Sequence, residues 1–197
     1  MARWEEIAPG LRRWTARHEE WGEDVASLAV ETDDGLVLID PLEPPRGLRR
    51  PDHVLLTVFW HGRTGGDLGA PHVWASRRAV RRLASRGVEV TDPFTAADAL
   101  PGGIRAFETA RESEVVFWLP RQRAVAVGDV LLGAGAKPRA TTEPLRLCPA
   151  RWLGKASHND LRESLRPLLE LPVVRVLVSH GEPIRRGGKR ALRAVLS

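Results

Sequence analysis

The apolar residues of the chain are gathered into short runs that are separated by turn-forming residues. Two of these runs, residues 25–30 and 36–39, flank a segment that contains Asp34 and Gly35. An Asp-Gly pair between two apolar runs is a strong hairpin signal, because both residues tolerate the backbone angles of a tight turn. The pattern therefore predicts two antiparallel strands within residues 25–39.

Further apolar, β-branched runs predict a sheet with helices interspersed between its strands. The predicted strands cover residues 53–59, 72–75, 88–91, 104–109, 114–119, 123–127 and 173–178. One helix is predicted between Ser76, its N-cap, and Gly87, and another begins at Ser157 and bends at Pro167. Residues 133–150 are predicted to be a long irregular connection, where a lid is expected.

The order of these elements predicts one layered α/β (α+β) domain over residues 1–197, because no internal repeat or linker divides the chain. The composition, 43% hydrophobic and 28% charged, is typical of a globular domain. The longest apolar run, residues 54–60, is far shorter than the ~20 residues that a bilayer crossing needs. Glu5 and Glu6 stand where a signal peptide is basic, so we expect a cytoplasmic protein with no membrane association.

The single cysteine, Cys148, has no partner in the chain for a disulfide and cannot build a thiolate metal site by itself. We expect it to be a small buried residue without a catalytic role.

The basic residues raise the question of a nucleic-acid partner. The net charge is +5, and arginine outnumbers lysine by 27 to 3. The densest cluster contains Arg77, Arg78, Arg81, Arg82 and Arg86. Either an anionic partner relieves the repulsion within this cluster or it is a solvated helix face with screened charges. The second interpretation is favoured, so a nucleic acid is not the expected partner.

Ionisable residues follow several of the predicted strands. They are Asp40, His61, Arg63, Asp129 and His180. Side chains at the carboxyl ends of neighbouring strands meet at one edge of a sheet, where sites are commonly built. The sequence therefore predicts a site at this edge.

The motifs at these strand ends resemble those of the metallo-β-lactamase fold superfamily. The resemblance is carried by Gly35-Leu36-Val37-Leu38-Ile39-Asp40-Pro41, Leu56-Thr57 with Gly65-Gly66, Val127-Gly128-Asp129 and Val176-Leu177-Val178-Ser179-His180-Gly181. It covers roughly residues 10–195 and implies an αββα sandwich with a metal site at one edge. In that superfamily two zinc ions typically activate a water for hydrolysis of esters, thioesters, amides or phosphodiesters.

The chain departs from the superfamily where the metal ligands are expected. The signature after Leu-Thr is H-x-H-x-D-H-x-G-G, and the four ligand positions hold Val58, Trp60, Gly62 and Arg63. A further histidine position falls near Arg111. These residues supply no zinc donors at neutral pH, so the resemblance implies that the dinuclear zinc centre is lost.

Two positions of the pattern are retained. Asp129 is at the bridging carboxylate position and His180 at the final histidine position. His61 lies between two lost ligand positions, and alternation along an extended backbone predicts that it points away from the old metal centre, as a rim or loop residue. The alternative is that His61 serves as a replacement ligand. We predict that Arg63 and Arg111 bind the Asp129 carboxylate in place of the metal.

An aromatic stretch precedes the first predicted strand and contains Trp14, His18 and Trp21. These side chains either form a flap over the pocket, as this region can in the resembling folds, or anchor the N-terminal segment to the core. The second interpretation is favoured.

The leading functional hypothesis is a non-catalytic or small-molecule-binding protein of the hydrolase superfamily, without a cofactor. Its expected pocket residues are Asp40, Val58, Trp60, His61, Arg63, Arg111, Asp129 and His180. One alternative is a hydrolase that keeps a single zinc ion on Asp129 and His180, acting on an ester, thioester or phosphodiester. The other is a nucleic-acid-associated basic protein. The sequence does not indicate the ligand or the oligomeric state.

Replacing Arg78, Arg81 and Arg82 with Gln tests the nucleic-acid alternative. If the arginine cluster is a solvated face, any affinity for DNA and its dependence on salt stay unchanged. A surface that contacts phosphates would instead lose about one unit of salt slope for each contact removed. Filter binding at several salt concentrations makes the measurement.

Overall fold

The computed structural model describes residues 4–63 and 65–197, and two β-sheets form its centre. The first sheet has seven strands in chain order: β1 (Glu5–Ala8), β2 (Leu11–His18), β3 (Glu23–Thr32), β4 (Gly35–Ile39), β5 (His53–Leu56), β6 (His72–Ser76) and β7 (Asp92–Phe94). Strands β1 to β4 are antiparallel, and β4 to β7 are parallel. The predicted hairpin of residues 25–39 is confirmed as β3 and β4.

The second sheet is built from the later strands β8 (Arg105–Glu108), β9 (Val115–Leu119), β10 (Ala124–Val127) and β13 (Arg175–Val178). Their order is β13-β10-β9-β8, and β13 pairs with β10 in parallel. Between β10 and β13, a small antiparallel pair is formed by β11 (Leu131–Gly133) and β12 (Leu145–Leu147).

The α-helices are α1 (Val80–Ala84), α2 (His158–Leu165) and α3 (Gly188–Leu196). Short 3-10 helices cover Phe59–His61, Gly65–Leu68, Pro101–Gly103, Ala150–Trp152 and Arg166–Glu170. No helix in the described ranges has the length and apolar character of a membrane span.

The packing has the predicted αββα order of layers. Apolar side chains such as Ile39 and Phe117 fill the space between the two sheets. Leu161 of α2 and Leu192 of α3 pack against the second sheet. Leu83 of α1 lies in the cluster on the outer face of the first sheet, where the helical layer is thin.

Several element boundaries differ from the prediction. The helix expected from Ser76 begins only at Val80, because the Ser76 hydroxyl accepts from the Arg78 N–H in a turn before it. The strand expected at residues 88–91 is found slightly later in the chain, as β7 (Asp92–Phe94). The connection 133–150 contains β12, and β1, β2 and α3 were not predicted. The bend at Pro167 is confirmed, since α2 gives way to a 3-10 helix there.

The two sheets are joined closely at the edge where the site lies. The N–H of Ala26 in β3 donates to the Ser179 carbonyl after β13, with a length of 2.8 Å. Gly128 follows β10, and a Cβ there would lie 2.6 Å from Thr57 Oγ1 and 2.9 Å from Glu114 Oε1. A side chain at residue 128 would therefore push apart the strand ends that carry the site.

The N-terminus of α2 gives a test of local stability. The Ser157 hydroxyl accepts from the Asp160 N–H, while the Asp160 carboxylate accepts from the Ser157 N–H at 2.8 Å, which is a capping box. We expect Ser157→Ala to lower the free energy of unfolding by about 1 kcal/mol, or roughly 2–4 °C in Tm. Ser157→Thr keeps the hydroxyl and should melt within about 1 °C of the wild type. Equal melting of all three proteins by circular dichroism would show that the cap contributes nothing.

Candidate functional site

The centre of the site is the Asp129 carboxylate, whose two oxygens are both occupied. Oδ1 lies 2.9 Å from His180 Nε2 and 3.1 Å from His61 Nε2. Oδ2 accepts from Trp60 Nε1 at 2.6 Å and from Arg111 Nη1 at 3.2 Å. Asp129 is 4% exposed, so these partners replace the water that an ionised carboxylate needs.

The two imidazoles connect Asp129 to further carboxylates. His61 Nδ1 lies 2.8 Å from Asp40 Oδ2, and Asp40 also accepts from the Thr57 N–H and hydroxyl at 2.9 and 2.5 Å. On the other side, His180 Nδ1 lies 3.0 Å from Glu23 Oε1. Carboxylates and imidazoles therefore alternate in a chain of contacts, in the order Asp40, His61, Asp129, His180 and Glu23. Each imidazole is held in orientation by a carboxylate at its Nδ1 atom.

The position of His61 corrects the sequence-based prediction. His61 was expected to point away from the centre, but its side chain is fully buried against Asp129. Residues Phe59–His61 form a 3-10 helix rather than an extended segment, so the alternation of a strand does not apply to them. Val58 is also fully buried, in the interior beneath the pocket.

The predicted pairing of arginine with Asp129 is confirmed for Arg111. Its Nη1 atom contacts both Asp129 and Glu114 Oε2, at 3.2 and 2.9 Å, and its Nε atom donates to the Trp152 carbonyl at 2.9 Å. The guanidinium carbon lies 4.2 Å from the centre of the Trp60 ring. A guanidinium stacked on an indole thus lies against the Asp129 carboxylate.

The pairing predicted for Arg63 is wrong. Arg63 Nη1 donates to the backbone carbonyl of Asp40 at 3.0 Å, and its guanidinium faces the Trp21 ring at 5.6 Å. Among the ion pairs of the described residues, none joins Arg63 to Asp129. Arg63 therefore contributes positive charge near the cluster without binding the carboxylate directly.

Sequence reasoning missed Glu114, a completely buried carboxylate at the start of β9. Its Oε1 atom accepts from the N–H groups of Asp129 and Val130 at 2.7 and 2.9 Å. Burial and the nearby charge of Asp129 raise the pKa of Glu114 to about 7. The sequence does contain a signal for Glu114: it is an acidic residue directly before an apolar strand. It also lies three residues after Arg111, close enough along the chain to form an ion pair with it.

Electrostatics favour an ion pair between Asp129 and His180. Burial alone would raise the pKa of Asp129, but its contacts with His61 and His180 outweigh this effect and hold the pKa well below the usual range. Burial would lower the pKa of His180, and its contacts with Asp129 and Glu23 instead raise it to about 9. The carboxylate is therefore ionised and His180 carries a proton at neutral pH.

A cavity of about 710 Å³ opens above this cluster. Asp129 and His180 lie at its floor, and Trp21, Trp60 and Trp152 form much of its wall. Of the remaining predicted pocket residues, Arg111 lines the cavity, while Asp40, Val58, His61 and Arg63 do not.

The aromatic residues of the N-terminal stretch divide between the two interpretations. Trp14 is 1% exposed in the core, where its indole N–H donates to the Leu42 carbonyl, so it is not part of a flap. His18 and Trp21 do line the cavity, and their rings stack 3.8 Å apart. The Trp21 ring centre is 5.7 Å from that of His180. The turn between β2 and β3 thus covers one side of the cluster.

Three possible metal donors are found in the described part of the chain. His61, Asp129 and His180 each offer one ligand atom, and these three atoms lie within 4.8 Å of one another. Val58, Trp60 and Arg63, at positions where the resemblance leads one to expect ligands, offer no metal donor for a second ion. The donor set fits at most one metal ion, not the pair expected for the superfamily.

Two other sequence predictions concern residues away from the Asp129 carboxylate. Cys148 is fully buried, and burial raises the pKa of its thiol to about 12, in keeping with an unreactive residue. In the arginine cluster, Arg78 and Arg82 form ion pairs with Glu108 and Glu112, at 2.7 and 3.1 Å. The like charges of this surface are therefore partly compensated by acidic neighbours.

Comparison with known proteins places the fold. No protein-family description matches the sequence, and no curated protein matches it. Among solved structures, a metallo-β-lactamase from Pontibacter korlensis superposes with a TM-score of 0.71 and 19% identity, covering 100% of this chain and 99% of the other. The metallo-β-lactamase from Hirschia baltica gives 0.69 and 15%, covering 99% and 97%. The mono-zinc form of the metallo-β-lactamase FIM-1 from Pseudomonas aeruginosa gives 0.68 and 16%, covering 99% and 94%.

These similarities extend over the whole chain and agree with the layer order described above. The protein is a mixed α/β protein with two packed sheets and few helices. Its fold is that of the metallo-β-lactamase superfamily.

Removing the central carboxylate tests the role of the cluster in stability. Asp129→Ala leaves Arg111, Trp60 and both imidazoles without their shared acceptor, and we expect a loss of roughly 3 kcal/mol in the free energy of unfolding. Asp24→Ala is the matched control, because Asp24 is exposed and contacts Arg17 at 3.8 Å on the surface. The control should change the free energy by less than about 0.5 kcal/mol in urea denaturation. An equally small effect of Asp129→Ala would contradict the stabilising role.

Proposed function

We propose that this protein binds a small organic molecule in the cavity above Asp129 and does not use the dinuclear zinc chemistry of the superfamily that it resembles. One observation carries the proposal. Trp60 and Arg111, both at or near former ligand positions, donate directly to Oδ2 of the Asp129 carboxylate. One oxygen of the carboxylate that stands at the bridging position of the superfamily pattern is thus used by an indole and a guanidinium.

The charge of Arg111 also opposes a metal ion on the same carboxylate. A divalent ion bound through Oδ1 would lie on the order of 6 Å from the guanidinium, which contacts Oδ2. With an effective dielectric constant of about 20, the repulsion is roughly 5 kcal/mol, or more than three powers of ten in affinity. The carboxylates of Asp40, Glu23 and Glu114 offset part of this repulsion. Among those carboxylates, Glu23 already contacts the protonated His180 and Glu114 already contacts Arg111, so part of their charge is compensated without an ion.

The cavity has the properties of a ligand site. Its volume of about 710 Å³ falls in the range of roughly 300–1,000 Å³ that is usual for such sites. Its wall contains three of the seven tryptophans of the chain. Indoles of this kind provide apolar contact area at a low cost in side-chain entropy.

A hydrolase with a single metal is the second candidate, and it is favoured by the convergence of His61, Asp129 and His180. Two imidazoles and a carboxylate are a donor set that catalytic zinc sites use, with a further position left for water. When bound, the ion would lower the pKa of that water toward neutrality. In this case Asp40 and Glu23 would orient the two imidazoles through their Nδ1 atoms.

Metal content separates the two candidates. Protein purified without chelators from zinc-supplemented medium should hold well below one equivalent of metal by plasma mass spectrometry. A bound ion would have to displace the extra proton of His180, whose pKa is raised to about 9, and overcome the charge of Arg111. Hydrolysis of ester, lactam and phosphodiester probes should be absent or insensitive to chelation.

One tightly held zinc or iron ion per chain, lost in His61→Ala and retained in His158→Ala, would favour the single-metal hydrolase instead. His158 is a suitable control because it lies outside the three-donor group, with its Nε2 atom 2.8 Å from the Cys148 carbonyl. A ligand-observed NMR screen of neutral, anionic and cationic fragments completes the test. Under the proposal, fragments bind to the wild type and lose binding in Trp152→Ala.

A further inference from the structure

The acidic and basic side chains around the cavity differ in how many contacts they make with other protein groups. Two of its acids are engaged, since the buried Asp129 has the four contacts described above and the half-buried Glu23 contacts His180. Its cations are less engaged. Lys137 donates to the Gly22 carbonyl at 2.8 Å, and the Arg86 guanidinium lies 5.4 Å from the centre of the Phe59 ring. Among the described residues, no ion pair within 4.0 Å joins either of these cations to an acid, although the charge of Lys137 contributes to lowering the pKa of Glu23.

Arg111 also retains binding capacity toward the cavity that it lines. Its Nε atom is used by the Trp152 carbonyl, and its Nη1 atom by Glu114 and Asp129. The second terminal nitrogen, Nη2, takes part in none of the hydrogen bonds found within residues 4–63 and 65–197. A guanidinium has five N–H donors in a rigid plane, so Nη2 remains for an acceptor on a ligand.

The surroundings of Arg111 are flat and apolar. Its guanidinium carbon lies 4.2 Å from the centre of the Trp60 ring and 5.7 Å from that of Trp152. Trp21 adds a third indole to the cavity wall. Stacked and edge-to-face contacts with these rings favour a planar apolar group next to the guanidinium.

On the basis of the proposed small-molecule function, we propose that the cavity binds an aromatic carboxylate. The carboxylate accepts a hydrogen bond from Arg111 Nη2, and its planar body packs against Trp60 and Trp152. Lys137 and Arg86, which also line the cavity, attract the negative charge of the ligand without being buried against it. Glu20 is the remaining acid of the cavity wall, and it is exposed to solvent.

A single negative charge fits this site better than a double one. Arg111 already contacts two carboxyl groups, those of Asp129 and Glu114, which lie within 3.2 Å of its Nη1 atom. A phosphate dianion at Nη2 would face these two carboxylates across the same guanidinium, at a spacing where like charges repel strongly. A carboxylate monoanion incurs about half of that repulsion and keeps the charge-assisted hydrogen bond.

The experiment compares four probes with the same ring system by isothermal titration calorimetry at neutral pH. They are naphthoate, its neutral analogue naphthamide, the cation naphthylmethylamine and the dianion naphthyl phosphate. We expect naphthoate to bind at least about tenfold more tightly than each of the others, and its affinity to fall more with added salt than that of naphthamide. Acetate, which has no planar body, should show no measurable binding.

Variants of the mouth residues test the source of the preference, because Arg111→Gln removes a buried ion pair and is expected to reduce folding. Lys137→Gln and Arg86→Gln should each weaken naphthoate about threefold and leave naphthamide unchanged. Arg81→Gln is the matched control for Arg86: it is an exposed arginine of α1 that does not line the cavity. It should change the affinity of neither probe.

The outcomes distinguish this inference from the proposed function. Equal or tighter binding of naphthamide, naphthylmethylamine or naphthyl phosphate would overturn the carboxylate preference and leave small-molecule binding in place. If none of the four probes binds while the fragment screen finds ligands of other chemistry, the inference falls alone. If the screen also finds no ligand, both fall.

Discussion

The arrangement of the site depends on one buried carboxylate that must remain ionised. Asp129 lies at the end of β10, where the first and second sheets meet, and its oxygens receive two imidazoles, an indole and a guanidinium. Leaving such a charge without partners is among the most costly defects that a protein interior can have. The four contacting side chains come from three separate parts of the chain, so their convergence on one carboxylate fixes the relative position of the strand ends that surround it.

This constraint also explains why the cavity has its particular wall. Trp60 and Arg111 are held against Asp129, and Arg111 in turn holds the carbonyl of Trp152. Glu114 supports the same group from below through the N–H groups of Asp129 and Val130. The flat faces above the cluster are therefore positioned by buried polar contacts rather than by the surface loops alone, which favours a preformed binding site.

Much of the fold and part of the site could be predicted from the sequence. Strand ends marked by Asp40, Asp129 and His180 were recognisable because apolar runs stop abruptly at ionisable residues, and the pairing of Arg111 with Asp129 followed from the need to neutralise that carboxylate. The inward position of His61 was not predictable by alternation, because a 3-10 helix replaces extended backbone there. Glu114 was missed because its role is to accept two backbone N–H groups, and a sequence does not show which backbone groups are near. Strand β1 begins with two glutamates, and β2 was hidden by three arginines, of which Arg12 and Arg17 are exposed while Arg13 is buried and donates to the Gly181 carbonyl.

The guanidinium of Arg111 is covalently part of the chain and stays charged throughout the physiological pH range. A metal ion in an equivalent position must be acquired after synthesis, and its retention depends on the supply of that ion and on competing chelators. On the Oδ2 side of Asp129, the compensating positive charge is therefore present as soon as the chain has folded. This half of the cluster is complete in every copy of the protein, whatever metals the surroundings contain.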